Sequence, residues 1–162
     1  MNVPALNILP SEQQRFGRYK LLCKLGSGGM ATLYLARFAS DEGFEKHVAI
    51  KRIHDHLSEE EEFLQMFVDE ARLAAQISHP HVAQVIEFGA QPAHFIAMEY
   101  VDGESLTALI RRAQPPLVVC ARIVSQAAAG LHAAHELRSR DGELLGVVHR
   151  DVSPHNILIS YE

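Results

Sequence analysis

The chain is short of several things that would each point to a class of function. It has two cysteines, Cys23 and Cys120, without C-x-x-C spacing. That excludes a disulfide framework and fits small apolar core roles in a reducing compartment. It has no basic excess. Fifteen Lys plus Arg stand against 20 Asp plus Glu, a formal charge of −5, so a phosphate-neutralising surface over the whole chain is not expected, nor is general nucleic-acid or anionic-membrane binding. No apolar run reads as long enough to span a membrane, and residues 1–10 carry no basic segment ahead of their few apolar side chains, which argues against a secretory signal. Internal repeats and low-complexity tracts are also missing. What remains is 162 residues, 48% hydrophobic and 22% charged, a globular composition able to bury roughly 70% of its unfolded surface in one domain. A cytoplasmic location is the default expectation.

Residues 1–15, with Pro4 and Pro10 and no periodicity, read as a flexible leader. Alternation then predicts strands over 18–25, with Tyr19, Leu21, Cys23 and Leu25 on one face, and over 31–38 and 47–53. Gly26-Ser27-Gly28-Gly29 links the first two, and Ser40-Asp41-Glu42-Gly43 is a turn. A helix is expected from Ser58, which forms a capping-box pair with Glu61, as far as His79-Pro80. Its face of Phe63, Phe67, Glu70, Ala74 and Ile77 is apolar except for one carboxylate, and a charge on such a face asks for a partner. Strands over 82–88 and 94–100 follow, then a turn at Asp102-Gly103 and a short helix over 105–112. Pro115-Pro116 separates it from a long helix over 117–137 whose polar stripe is narrow, the pattern of a helix packed on several sides. A last strand is expected over 157–159.

Three strings carry chemistry. Gly26-Ser27-Gly28-Gly29-Met30-Ala31 fits G-x-G-x-x-G except at Ala31, and glycines serve close phosphate approach and tight hairpins equally. A dinucleotide fold needs a helix straight after them, whereas residues 32–36 read as strand, which favours a glycine-rich flap between antiparallel strands. Val48-Ala49-Ile50-Lys51 ends an apolar strand in a lysine. Such lysines are usually solvated, but Glu70 on the next helix is a partner that could hold this one. His149-Arg150-Asp151-Val152-Ser153-Pro154-His155-Asn156 places a carboxylate and an amide five residues apart on one loop, able to orient a hydroxyl nucleophile and to ligate Mg²⁺. The pairs His54/His56, His79/His81 and His132/His135 lack i, i+4 spacing with a third ligand and do not read as a zinc site.

In this order, the glycine flap, Val-Ala-Ile-Lys, helix Glu and His-Arg-Asp followed by Asn resemble the eukaryotic-type serine/threonine protein kinases of bacteria, from about Phe16 onward. The resemblance implies an α+β, protein-kinase-like fold. Residues 16–101 would form an N-lobe, a five-stranded antiparallel sheet with one packed helix, ending in a hinge. Residues 102–162 would be an incomplete, mainly helical C-lobe: its first helices and the catalytic loop. It further implies ATP and Mg²⁺ as cofactors and a protein substrate phosphorylated on Ser or Thr. Residue by residue, Gly26, Ser27, Gly28 and Gly29 would cover the phosphates, Leu25, Leu33 and Ala49 would line the adenine site, and Lys51 would bind phosphates while paired with Glu70. Met98 would be the gatekeeper, with the backbones of Glu99 and Val101 meeting adenine. Asp151 would be the catalytic base and Asn156 a metal ligand, His149 would pack in the loop, and Asp102, Glu104 or Ser105 would meet the ribose.

Departures from the pattern bear on activity. Ala31 replaces the third glycine at the cost of a methyl group. Ser153 stands where serine/threonine kinases usually carry a lysine, a lost cation that would slow transfer or shift substrate preference. No Asp-Phe-Gly occurs in the chain, so these residues read as a truncated domain, inactive alone. The alternative is a non-catalytic module that binds nucleotide or docks a protein. Uncovered apolar C-lobe faces and an open edge at 157–159 would invite association.

Overall fold

The computed structural model describes residues 7–11, 14–39 and 43–161. Residues 1–6 and 12–13 of the expected leader and 40–42 of the expected turn lie outside them. The chain divides into two compact units, Met1–Ala75 with Gln84–Tyr100, and Gln76–Ala83 with Val101–Glu162.

In the first unit, β1 (Asn7–Ile8) and β2 (Arg15–Phe16) pair with β3 (Tyr19–Ser27), followed in chain order by β4 (Ala31–Ala39), β5 (Glu45–Ile53), β6 (Val85–Gly89) and β7 (Phe95–Glu99). All are antiparallel, in the order β1-β3-β4-β5-β7-β6, with β2 beside β3. The five long strands are those the alternation predicts. The two short ones take up part of the expected leader, because the outer edge of β3 offers unpaired backbone groups. There the Leu9 N–H donates to the Leu22 carbonyl at 3.2 Å and the Leu21 N–H to that of Gln14 at 2.7 Å.

Alternation along β5 sorts the side chains onto two faces. Val48 and Ile50 join Phe16, Tyr19, Leu21, Ala36, Phe95 and Ala97 in one buried cluster. Ile53 joins Ala31, Ile96, Phe67 and Ala71 in another, where α2 (Glu61–Ala74), preceded by the single turn α1 (Asp55–Ser58), packs on the sheet. The sheet also curls: Tyr19 on β3 donates its hydroxyl proton to Glu87 on β6, with three strands between them in the order, and Arg18 meets the same carboxylate at 2.5 Å.

Several boundaries differ from expectation. Bulges between Leu21 and Cys23 and between Lys24 and Gly26 break the single face expected of β3 and leave Leu25 exposed. The capping box does not form. Ser58 ends α1, donating to the Asp55 carbonyl at 2.7 Å, and Glu60 caps α2 without a side-chain bond. Glu61 and Glu62 in the first turn of α2 still meet its dipole favourably. The helix ends at Ala74, five residues before His79-Pro80, so Ile77 lies beyond it. Phe67 and Ala71 are its buried residues, while Glu70 sits at the margin.

The second unit contains β8 (Gly103–Ser105), α3 (Leu106–Arg112), α4 (Leu117–His135) and β9 (Leu158–Ser160). The strand expected at 157–159 pairs along one side: β9 lies against β8, Gly103 opposite Ser160, and in this two-stranded sheet its other edge has no partner among the described residues. Gly103 permits the pairing, since a Cβ there would lie 2.0 Å from the Ile159 carbonyl oxygen. Ser105 caps α3, accepting from the Ala108 N–H at 3.2 Å. Contrary to the reading of the apolar runs, the 19-residue α4 is long and apolar enough to cross a membrane by length and composition. Core helices pass the same test, and this one packs Gly130 against the backbone of His81 and buries Ile123 and Ala134. Leu117, Val118 and Val124 are exposed.

Candidate active site

On β5, Lys51 stands opposite Leu33 of β4 and Ile96 of β7, and Ala49 opposite Leu35 and Met98. Directly paired residues share a face, so Leu33, Ala49, Lys51 and Met98 share the face that α2 covers further along. Lys51 Nζ lies 2.5 Å from Glu70 Oε1 and 5.9 Å from the centre of the Phe67 ring. The Glu70 side chain is 51% exposed, so screening keeps the contribution of this pair to stability below about 1 kcal/mol. What the pair does is fix the ammonium: a lysine tethered at that register presents its charge at one place on the sheet.

The flap closes at its base through the Gly28 N–H, which donates to the Ala31 carbonyl at 2.9 Å. Gly26, Gly28 and Gly29 do not adopt positive φ, and a Cβ added at Gly26 or Gly29 would meet nothing within 4 Å. Neither backbone conformation nor packing within the fold demands glycine there. Open space over bare backbone suits an anion approaching the amides, the fit expected of a phosphate cradle.

At the end of β7, the Glu99 N–H donates to the Gln84 carbonyl at 2.8 Å, while its carboxylate accepts from the Gln84 N–H at 3.2 Å. Met98 and Val101 are half-buried.

In the second unit the string 149–156 is anchored near its C-terminal end. The first N–H groups of α3 lack helical partners, and two of them find the loop: Thr107 donates to the Pro154 carbonyl at 3.1 Å and Leu106 to that of Ile157 at 2.8 Å. Asn156 Nδ2 donates to Asp151 Oδ2 at 2.8 Å and to the Asp151 carbonyl at 3.0 Å. The Asp151 N–H donates to His149 Nδ1 at 3.3 Å, and Arg150 between them adopts φ 62°. A non-glycine residue in that region is strained, and such strain clusters at functional sites. The two residues singled out for the loop are therefore in contact. Asn156 donates to Oδ2 of Asp151, and Oδ1 is the other carboxylate oxygen; a carboxylate oxygen can accept from a hydroxyl and an amide oxygen is a hard donor of the kind Mg²⁺ takes. One amide oxygen is a partial ligand set, and no cluster of three His, Cys, Asp or Glu able to hold a metal occurs among the described residues.

Of the ribose candidates, Glu104 is engaged by Arg112 and Ser105 by the α3 cap. Sequence reading missed Thr32 and His54 beside the flap, where Thr32 Oγ1 lies 2.9 Å from Ser27 Oγ and 3.2 Å from His54 Nε2. A hydroxyl inside the apolar run of β4 was the available signal. A cavity of about 300 Å³ lined by Val68, Ala71, Val85 and Phe88 includes none of the site residues.

Residues 19–162 match the family model described as the protein kinase domain. The chain is 44% identical over 155 residues to the tyrosine-protein kinase MasK of Myxococcus xanthus, covering 92% of this chain and 24% of that protein. It is 34% identical over 148 residues to the serine/threonine-protein kinase PrkC of Bacillus subtilis, covering 90% of this chain and 21% of that one. It thus spans about a quarter or less of the length of these curated relatives. Among solved structures, the PknI kinase domain of Mycobacterium tuberculosis superposes with a TM-score of 0.71 at 30% identity, covering 95% of this chain and 58% of that one. Flap, tethered lysine, helix glutamate and Asp–Asn loop stand within the matched residues, and the chain belongs to the protein kinase domain family.

Proposed function

We propose that this chain supplies the nucleotide-holding unit and the catalytic loop of a protein kinase that transfers the γ-phosphoryl group of ATP to Ser or Thr hydroxyls of protein substrates in the cytoplasm. The observation that carries the reading is the ion pair of Lys51 with Glu70 at 2.5 Å, a strand lysine held for a ligand rather than released to solvent. Lys51 neutralises α- and β-phosphate charge, Gly26, Ser27, Gly28 and Gly29 cover the phosphates, and Leu25, Leu33, Ala49 and Met98 line the base with the backbones of Glu99 and Val101. Asp102 is the ribose candidate left when Glu104 and Ser105 are committed elsewhere.

Asp151 orients the acceptor hydroxyl and takes its proton as the hydroxyl oxygen bonds to the γ-phosphorus and the bond to the β,γ-bridging oxygen breaks, releasing ADP. Asn156 keeps one carboxylate oxygen of Asp151 engaged so that the other faces the nucleophile. Asn156 is the residue of this chain that would hold Mg²⁺, which would supply positive charge to offset that of the phosphates.

The test is phosphorylation of a generic protein substrate by the full-length protein with MgATP. Asp151→Ala should lower the rate by about 10²–10⁴-fold. Transfer undiminished in that variant overturns the assignment, and nucleotide binding without any transfer by the wild type establishes the non-catalytic module instead. A second reading, transfer to Tyr, is favoured by Ser153 in place of the lysine and by the 44% identical relative named as a tyrosine kinase. Phosphoamino-acid analysis of the product decides between them.

A further inference from the structure

The strand register of the first unit lines up a row of basic side chains. Arg15 of β2 stands opposite Lys20 of β3, Lys20 opposite Arg37 of β4, and Arg37 opposite His47 of β5. Directly paired residues share a face, so the row crosses four strands on one side of the sheet and is about 14 Å long at a strand spacing of about 4.8 Å. Its members alternate with Phe16, Tyr19, Phe38 and Val48, which belong to the core cluster of the other side. Arg15, Lys20 and His47 are exposed and Arg37 is half-buried. The row is one residue wide. On one side of it Leu35 stands opposite Cys23 and Ala49, both buried, and on the other Ala39 stands opposite Glu45.

The fold gives these charges little reason to be together. Like charges directly opposite on a sheet are destabilising, and Lys20 and Arg37 form such a pair in a chain whose net charge is −5. Arg37 Nη1 meets Glu45 Oε2 at 3.1 Å, a half-exposed pair that contributes little. Arg37 Nε is covered yet lacks an acceptor among the described residues, so the fold leaves part of this guanidinium unsatisfied.

From this register we propose that the row of Arg15, Lys20, Arg37 and His47 is a docking strip for an acidic segment of a partner protein. An extended chain rises about 3.4 Å per residue, so a run of about four residues rich in Asp and Glu spans the row. The narrowness of the row selects this occupant. A flat anionic membrane or a nucleic-acid duplex would have to meet the Glu45 carboxylate and the apolar row together with the cations, whereas a single extended chain can follow the cations alone. The strip is separate from the nucleotide residues and needs neither Lys51 nor Asp151.

The experiment measures, by fluorescence anisotropy, binding of the full-length protein to a labelled peptide with a run of glutamates and to its counterpart with glutamines. The glutamate peptide should bind, weaken as salt is raised, and bind at least about tenfold more tightly than the glutamine peptide. Lys20→Gln and Arg37→Gln should each weaken it about threefold, the scale of one exposed ion pair. Lys20→Glu should weaken it about tenfold with no fall in melting temperature, because an opposite-charge pair then replaces a like-charge one on the sheet. Lys46→Gln, which removes an exposed cation paired with Phe38 on the other side of the sheet, should have no effect. Equal binding of the two peptides, a loss in Lys46→Gln as large as in Lys20→Gln, or an oligonucleotide of equal charge bound as tightly as the peptide overturns the strip. None of these outcomes touches the nucleotide reading.

Discussion

The two units differ in how they hold themselves together. In the first, Phe67, Ile50, Ile53, Ile96 and Cys23 are each less than 2% exposed, and two clusters cover both faces of the sheet. In the second, Ile123 and Ala134 are the buried apolar side chains among the described residues, while Leu117 is 85% and Val118 74% exposed on the same helix. Regular structure therefore does not measure burial. The first unit has a core of its own, whereas the second keeps its backbone geometry through caps, one strand pair and the α4 helix, with much apolar surface uncovered.

The largest break in this contrast should come from Phe67→Ala, which opens a cavity in the first core and should cost about 3–5 kcal/mol in urea denaturation. An equal cost for Ile123→Ala would show that the second unit has a comparable core after all. Gly130→Ala comes next. Its Cβ would lie 2.7 Å from the His81 carbonyl oxygen, so the helix must shift, at about 1–3 kcal/mol. Hydrogen exchange should register that shift in α4 and leave β4 and β5 protected. Glu70→Gln should change stability by less than about 1 kcal/mol while weakening nucleotide binding, the sign of a pair kept for position.

The smallest effect concerns the curl of the sheet. Burial, then the hydrogen bond to Glu87, raises the Tyr19 phenol above its ordinary value of 10.0. A raised folded value means that this contribution to stability is complete below the ordinary phenol range and is lost as pH rises through the folded value. The stability gap between wild type and Tyr19→Phe should therefore be constant near about pH 7 and narrow only at strongly alkaline pH, above about 10.

How much of this was legible in the sequence follows the range of the interactions. Alternation located the five long strands, and the strings around Lys51 and around Asp151 pointed to the contacts Lys51 makes with Glu70 and Asp151 with Asn156, because each is a pattern a few residues wide. The capping box at Ser58 failed because the chain spends that serine closing α1, a competition between two local turns that composition does not rank. The pairing of the strand at 158–160 escaped the sequence for a different reason. Its partner, β8, is a three-residue strand of Gly103, Glu104 and Ser105 with no β signature, recognisable only once the chain has brought it alongside β9. The contact of Thr32 with His54 escaped notice likewise, since nothing local joins residue 32 to residue 54.

The pairing of β8 with β9 also sets an order of events. During synthesis the strand at 103–105 emerges long before its partner at 158–160, and no pairing can form until the catalytic loop, which precedes β9, has itself been made. Closing so long a loop is entropically costly and slow compared with forming α3 or α4. The carbonyls of Pro154 and Ile157 that satisfy the first turn of α3 arrive with the same late segment. Asp151 and Asn156 are thus brought into register by one of the last contacts this stretch of chain makes, so the contact between Asp151 and Asn156 is assembled after the flap and the tethered lysine are already in place.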